Sequence, residues 1–252
     1  MNEGIKVALA PEQIGTLWGL PITNTLLMSW AVIVILGILA FIMGRNTKLI
    51  PSRFQTVLES LFGFVYDYIA ETLESREMAR KFFPLLLTIF LFIFTANMLE
   101  FTPGIGSVGL FHPSTSSGQA TEFIPLFRSA NTDLNATLAL AIISFLVIEI
   151  TGIMAIGLFK YSQKFLNFHS VMGFAVGIIE FFSEIARLIS FSFRLFGNIF
   201  AGEVLILVVS YFVPYILPVP LMMFEVFVGF IQAAIFSLLT LFFIKIAISE
   251  PH

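Results

Sequence analysis

The sequence predicts an all-α polytopic membrane protein. Five membrane-embedded helices are joined by one interfacial amphipathic helix, and the last two spans form a long tilted hairpin. Three observations carry this. Hydrophobic residues make up 58% of the 252-residue chain and charged residues only 12%, against about a quarter charged in a soluble domain. Mean hydropathy is +0.98, and the apolar residues fall in runs that reach the roughly 20 residues a span needs. Basic residues gather at alternate ends of those runs, as the positive-inside rule requires. The same composition excludes other classes. There is no Cys, which removes disulfides, thiol catalysis and iron–sulfur ligation. His112, His169 and His252 are too scattered to suggest a metal site, and the net charge of −3 points to no nucleic-acid partner. No phosphate-binding loop or nucleotide motif is present. The chain is therefore expected to hydrolyse nothing by itself and to carry neither metal nor cofactor.

The elements follow in order. Glu3, Lys6 and Glu12 precede the first apolar run without a basic cluster, so the N-terminus reads as a short tail rather than a signal peptide. Residues 25–43 form the first span. Arg45, Lys48 and Arg53 follow at once, which puts that end in the cytoplasm and the N-terminus outside. Across residues 52–74, Phe54, Val57, Leu58, Leu61, Phe62, Val65, Tyr68, Ile69 and Leu73 recur at helical spacing. Glu59, Asp67, Glu71 and Glu74 fall largely between them. That helix is too polar to span and is expected on the cytoplasmic membrane surface; packing on another subunit is the other reading. Ser52 and Gln55 fit a capping box after Pro51.

Arg76, Arg80 and Lys81 mark the cytoplasmic side again. Residues 82–101 then span outward, and residues 102–135 form an outer loop rich in Gly, Ser, Thr and Pro. The third span, residues 136–159, returns to Lys160 and Lys164, with Asp133 and Asn135 as its caps. The tracts 171–212 and 219–249 form the hairpin. Pro214, Pro218 and Pro220 break and reverse the chain between them. Each arm is longer than a perpendicular span and must tilt or protrude. Lys245 keeps the C-terminus cytoplasmic.

Polar residues inside the hairpin carry the functional signal. Arg194 lies among Phe, Ile, Leu and Val. A guanidinium keeps its proton at any physiological pH, and placing one near a bilayer centre costs at least about 2.5–3.5 kcal/mol. Folded about Pro214, Arg194 stands nearly level with Gln232, and Glu203 with Glu225. At 100° per residue, Glu180, Glu184, Arg187, Arg194 and Asn198 share one broad stripe, while Glu203 points to another flank. Two acidic clusters, one toward each membrane face, flank a permanent cation. Carboxylates can relay protons and arginine cannot, so the pattern suits two half-pathways with a barrier between them. Glu149, mid-span in the third helix, either faces water in one of the pathways or pairs with another helix; both readings stay open.

These residues resemble subunit a of the F-type ATP synthase. The most specific stretch is Arg194-Leu195-Phe196-Gly197-Asn198-Ile199-Phe200-Ala201-Gly202-Glu203. Ile231-Gln232-Ala233-Ala234-Ile235-Phe236 is similar to the family's last helix, where a Gln faces the arginine. Phe54-Gln55-Thr56, Pro84-Leu85-Leu86-Leu87-Thr88-Ile89-Phe90, Asn97-Met98 and Asp133-Leu134-Asn135-Ala136-Thr137 add motifs in the same order. The resemblance implies a proton-conducting, non-catalytic stator that couples proton flow to ATP synthesis. It implies partners: a c-subunit ring, the b-subunit peripheral stalk, the other ATP synthase subunits and membrane lipid. It also implies a bacterial cytoplasmic (inner) membrane. Arg194 would meet the ring carboxylate with Gln232 in support, and Asn198 would either position the arginine or glue helices together. Glu203 and Glu225 would serve the outer half-channel, and Glu180 and Glu184 the cytoplasmic exit. Glu225 is a departure: some bacterial relatives carry His there, so here the outer pair is acid with acid. A self-contained secondary transporter or channel is the alternative, but it favours an internal repeat, and none is visible. A passive anchor would need neither Arg194 nor the level acids.

Overall fold

The structure, a computed structural model, describes residues 10–17, 19–45, 51–102, 108–113, 121–158, 160–161 and 171–249. Lys48, Lys164, His169, His252 and the end of the expected third span at residue 159 lie outside the described residues. Six long α-helices run through the described residues: α1 (Asn24–Arg45), α2 (Arg53–Leu73), α3 (Arg76–Glu100), α4 (Leu134–Ile156), α5 (Val171–Phe212) and α6 (Pro218–Ile248). All but α2 are long and apolar enough to cross a membrane. The protein is thus an all-α polytopic membrane protein.

The span helices need no polar partners along most of their length. On α1, Trp30, Ile33, Val34, Ile38, Leu39, Phe41 and Ile42 are all exposed, a surface that only hydrocarbon accommodates at low cost. Helices satisfy their own backbone groups, which is why they can stand in lipid. Pro84 sits inside α3; Thr88 Oγ1 donates to the Pro84 carbonyl at 2.6 Å. At 1.5 Å per residue, the 42 residues of α5 extend about 63 Å, twice the roughly 30 Å hydrocarbon thickness.

Helix α2 begins at Ser52, whose hydroxyl accepts from the Gln55 backbone N–H at 3.3 Å, the N-cap half of the expected box. Gln55 also donates to Glu59 at 2.8 Å. The helix ends on Glu74 in the left-handed region, φ 55°. Ile69 and Leu73 are buried, while Phe54, Val57, Leu61, Phe64 and Tyr68 form an exposed stripe beside them. Its apolar arc is therefore half covered by protein and half open.

By internal contacts the chain divides into two compact units. One comprises Met1–Ile38, Leu91–Thr137 and Phe193–Ala233; the other comprises Leu39–Phe90, Leu138–Ser192 and Ala234–His252. In the first, Val32, Ala96 and Ala130 form a buried core with Leu36, Phe92 and Leu99 around it. Asp133 caps α4 through the Asn135 N–H at 2.9 Å and accepts from Thr25 Oγ1 at 2.9 Å, so one carboxylate fixes the N-terminal ends of α1 and α4. Asn131 Nδ2 donates to Asn97 Oδ1 at 2.7 Å, and Asn97 Nδ2 donates to the Gly229 carbonyl at 3.0 Å. A Cβ on Gly229 would stand 2.9 Å from Asn97 Cβ. Neither atom can rotate away, so Gly229→Ala must part α3 from α6. The expected cost is about 1–3 kcal/mol, read as a lower thermal midpoint of the purified protein in detergent; an unchanged midpoint would show the contact to be loose.

In the second unit Phe82, Leu86, Ile89, Leu241 and Ile244 are buried. Phe191 packs on Phe236 and Phe243, with centroids 5.1 and 5.5 Å away. Lys245 Nζ lies 2.7 Å from Glu74 Oε1 and, by hydrogen bond and charge, holds that carboxyl below its ordinary 4.5. This latch is intact above the carboxylate range and is lost as the pH falls through the depressed value. Glu74 is fully exposed, so the latch contributes little.

Two short antiparallel hairpins were not foreseen in the sequence: β1 (Gln13–Leu17) with β2 (Leu20–Thr23), and β3 (Gly109–Pro113) with β4 (Thr121–Pro125). They occupy the tail and the expected outer loop. Strands of four or five residues rich in Gly and Pro offer no alternation to read. Helix α4 begins two residues before the expected third span and stops at Ile156, because Gly157 takes φ 91°, the usual device for ending a helix.

Candidate functional site

In the first unit, Leu195 and Ile199 are buried, and the face of α5 about 100° further round the helix is turned outward. Arg194 and Asn198, four residues apart on that face, are exposed. Gln232 is buried on α6, 8% exposed.

Glu203 lies on another flank of α5, as its phase predicts. Its Oε2 is 3.1 Å from Arg128 Nη2, with the Arg128 side chain 10% exposed. Arg128 Nη1 also donates to the Ala10 carbonyl at 3.4 Å. Glu225, on α6, is buried, 5% exposed. Its carboxylate lies directly against Gly202: a Cβ there would overlap both oxygens. Glu100, at the end of α3, is within electrostatic reach of Glu203, Glu225 and Arg128 and hydrogen-bonds with Ser129. Its Oε2 is buried with no hydrogen-bond partner among the described residues. The expected pair, Glu203 and Glu225, is thus brought into one cluster around a third acid and a guanidinium. Glu100 is within reach of both other carboxylates, an arrangement that can pass a proton through it, while the guanidinium keeps its own.

In the second unit Glu184 is buried, 4% exposed, and Arg187 Nη1 donates to its Oε2 at 2.6 Å. The Arg187 guanidinium sits 4.1 Å from the centre of the Phe243 ring, a cation–π seat. Glu180 is half-buried. Glu149 accepts from the Tyr161 hydroxyl at 2.9 Å.

Glu100, Arg128 and Tyr161 are the site residues that sequence reasoning passed over. Glu100 closes a span and Arg128 stands alone in a loop, positions where a charge draws no attention. An unusual feature was visible for two of them: an acid at the end of an apolar helix, and a lone cation in the long loop. Among the described residues no group of three His, Cys, Asp or Glu could hold a metal ion.

These features define a class: a multi-pass α-helical membrane protein with ionisable side chains built into its spans. The family profile of the ATP synthase A chain matches residues 26–245. The subunit a of the Moorella thermoacetica ATP synthase is 30% identical over 234 residues, covering 93% of this chain and 94% of its own. That of Trichlorobacter lovleyi is 31% identical over 229 residues, covering 91% and 89%. That of Campylobacter jejuni is 33% identical over 217 residues, covering 85% and 86%. The chain belongs to the ATP synthase A chain family.

Proposed function

We propose that this chain is the proton-conducting stator subunit of a rotary ATP synthase in a bacterial inner membrane, with its N-terminus outside and its C-terminus in the cytoplasm. It works beside a c-subunit ring, a b-subunit peripheral stalk and the other ATP synthase subunits, and is itself non-catalytic. The observation that carries this reading is Arg194, a permanent cation exposed on an apolar membrane helix. A permanent cation in such a setting attracts a carboxylate presented by a neighbouring subunit, and a rotor carboxylate is one. At about 4 Å and an effective dielectric near 20 the attraction is about 4 kcal/mol. That is enough to draw the proton off a carboxylic acid arriving from lipid.

Each part of the cycle then has its residues. Glu203, Glu225 and Glu100 deliver protons from the outer side, and Arg128 holds the Glu203 carboxylate in place. The rotor acid takes a proton there, turns through lipid, and releases it toward Glu180 and Glu184. Arg194, supported by Gln232 and Asn198, blocks the direct route because it neither accepts nor gives up a proton. Exposed Ala201 beside Asn198 leaves room for a partner helix to come close.

The test is Glu203→Gln in the whole complex, reconstituted in vesicles. Gln keeps the size and can still accept from Arg128, but it cannot carry a proton. Proton flow from the outer side should fall about ten-fold, within the usual range for losing an acid–base group, while complex assembly stays normal. A wild-type rate would take Glu203 out of the path.

A further inference from the structure

Glu149 is the half-buried acid that the two half-channels leave unused. It stands inside α4, where a carboxylate is costly and usually serves a function. Two features of the second unit give it a setting. First, the chain turns at Gly157 (φ 91°) and brings Tyr161 back onto α4, with its own N–H donating to the Gly157 carbonyl at 2.9 Å. The tyrosine ring lies so close to Gly152 that a Cβ there would meet it. Its hydroxyl donates to Glu149 Oε2 at 2.9 Å. Burial and the neighbouring Glu149 push the Tyr161 hydroxyl well above its ordinary range, so it remains a donor. Secondly, a cavity of about 710 Å³ lies between α4 and α5. Its lining includes Glu149 from α4 and Glu184 from α5, with Phe145, Phe174, Phe181 and Phe182 as walls. A water needs about 30 Å³ of liquid volume and two to four polar partners. The cavity has the room, and its two carboxylates are partners of the right kind.

We propose that Glu149 is a proton-relay group of the inner path, exchanging protons with Glu184 across this cavity and oriented by Tyr161. The proposal rests on the stator reading above. In each exchange one carboxyl group loses a proton to cavity water as the other gains one, so the charge of the pair is unchanged. The aromatic walls leave the two acids as the polar groups of the lining. Arg187 is fixed on Phe243 and bonded to Glu184; it stays cationic throughout.

The experiment uses the whole complex in vesicles and compares Glu149→Gln with Glu149→Asp. Gln accepts the Tyr161 hydrogen bond as the native residue does, so a purely structural acid survives the change. A relay group does not. The relay predicts that Glu149→Gln lowers ATP-driven pumping about ten-fold or more with normal assembly, and that Glu149→Asp restores most of it. Wild-type pumping in Glu149→Gln overturns the proposal, as does equal loss in Glu149→Gln and Glu149→Asp. Arg194→Ala in the same preparation separates the levels. If it pumps normally, the stator reading falls. If it fails while Glu149→Gln pumps normally, only the relay falls.

Discussion

Replacing Arg194 with Ala abolishes ATP-driven proton pumping by the assembled complex in vesicles, while passive proton leak rises or persists. The charge is exposed on α5, and the neighbours that fix the helix, Leu195 and Ile199, are buried on a different face. Truncation therefore leaves the apolar packing of α5 in place while it removes the cation. Without it, the rotor acid loses about 4 kcal/mol of attraction, about a thousand-fold in its tendency to discharge. Nothing then repels a proton crossing directly from outer to inner acids, and the uncoupled path opens. Arg194→Lys should not rescue coupling. An ammonium in an apolar site can give up its proton, whereas a guanidinium holds it. Both variants are checked by fluorescence quenching for pumping and by acid-pulse decay for leak. Coupled pumping at the wild-type rate in Arg194→Ala would remove the barrier from the account.

The fold class was legible because a span announces itself in one dimension. Apolar runs and the basic residues that end them survive without any knowledge of packing. Arg194 was legible for the same reason, as a charge within such a run. Glu203 and Glu225 were found by counting outward from the Pro214 turn, which works because helical rise is constant. What counting could not give was company. Glu100 and Arg128 come to Glu203 from a helix end and a loop, and their convergence depends on the tertiary fold of the first unit. The partner of Glu149 was hidden similarly: Tyr161 reaches it only because Gly157 reverses the chain. Phase alone grouped Glu184 with Arg194 in one stripe, yet Glu184 is buried and Arg194 exposed. A stripe defines direction around a helix, and neighbours decide what covers it.

Gly202→Ala should impair proton flow from the outer side without unfolding the protein. The added methyl group would overlap the Glu225 carboxylate, which is buried on α6. The atoms it meets are the far end of a flexible side chain, so the helices need not separate; the carboxyl group swings instead. This is the opposite of Gly229, where the obstacle is an Asn97 Cβ fixed to its backbone. The displaced Glu225 leaves its place beside Glu100, and a misplacement near 1 Å in a reacting group can cost about a hundred-fold. A drop between about ten- and a hundred-fold is thus expected in proton uptake from the outer side, with thermal midpoint and assembly near wild type. Glu225→Gln should give a similar loss by removing the titrating group rather than moving it. Combining the two should add little, since both act on one carboxylate. If Gly202→Ala conducts normally while Glu225→Gln does not, the glycine is there for helix packing alone and the acid has room to work from more than one position.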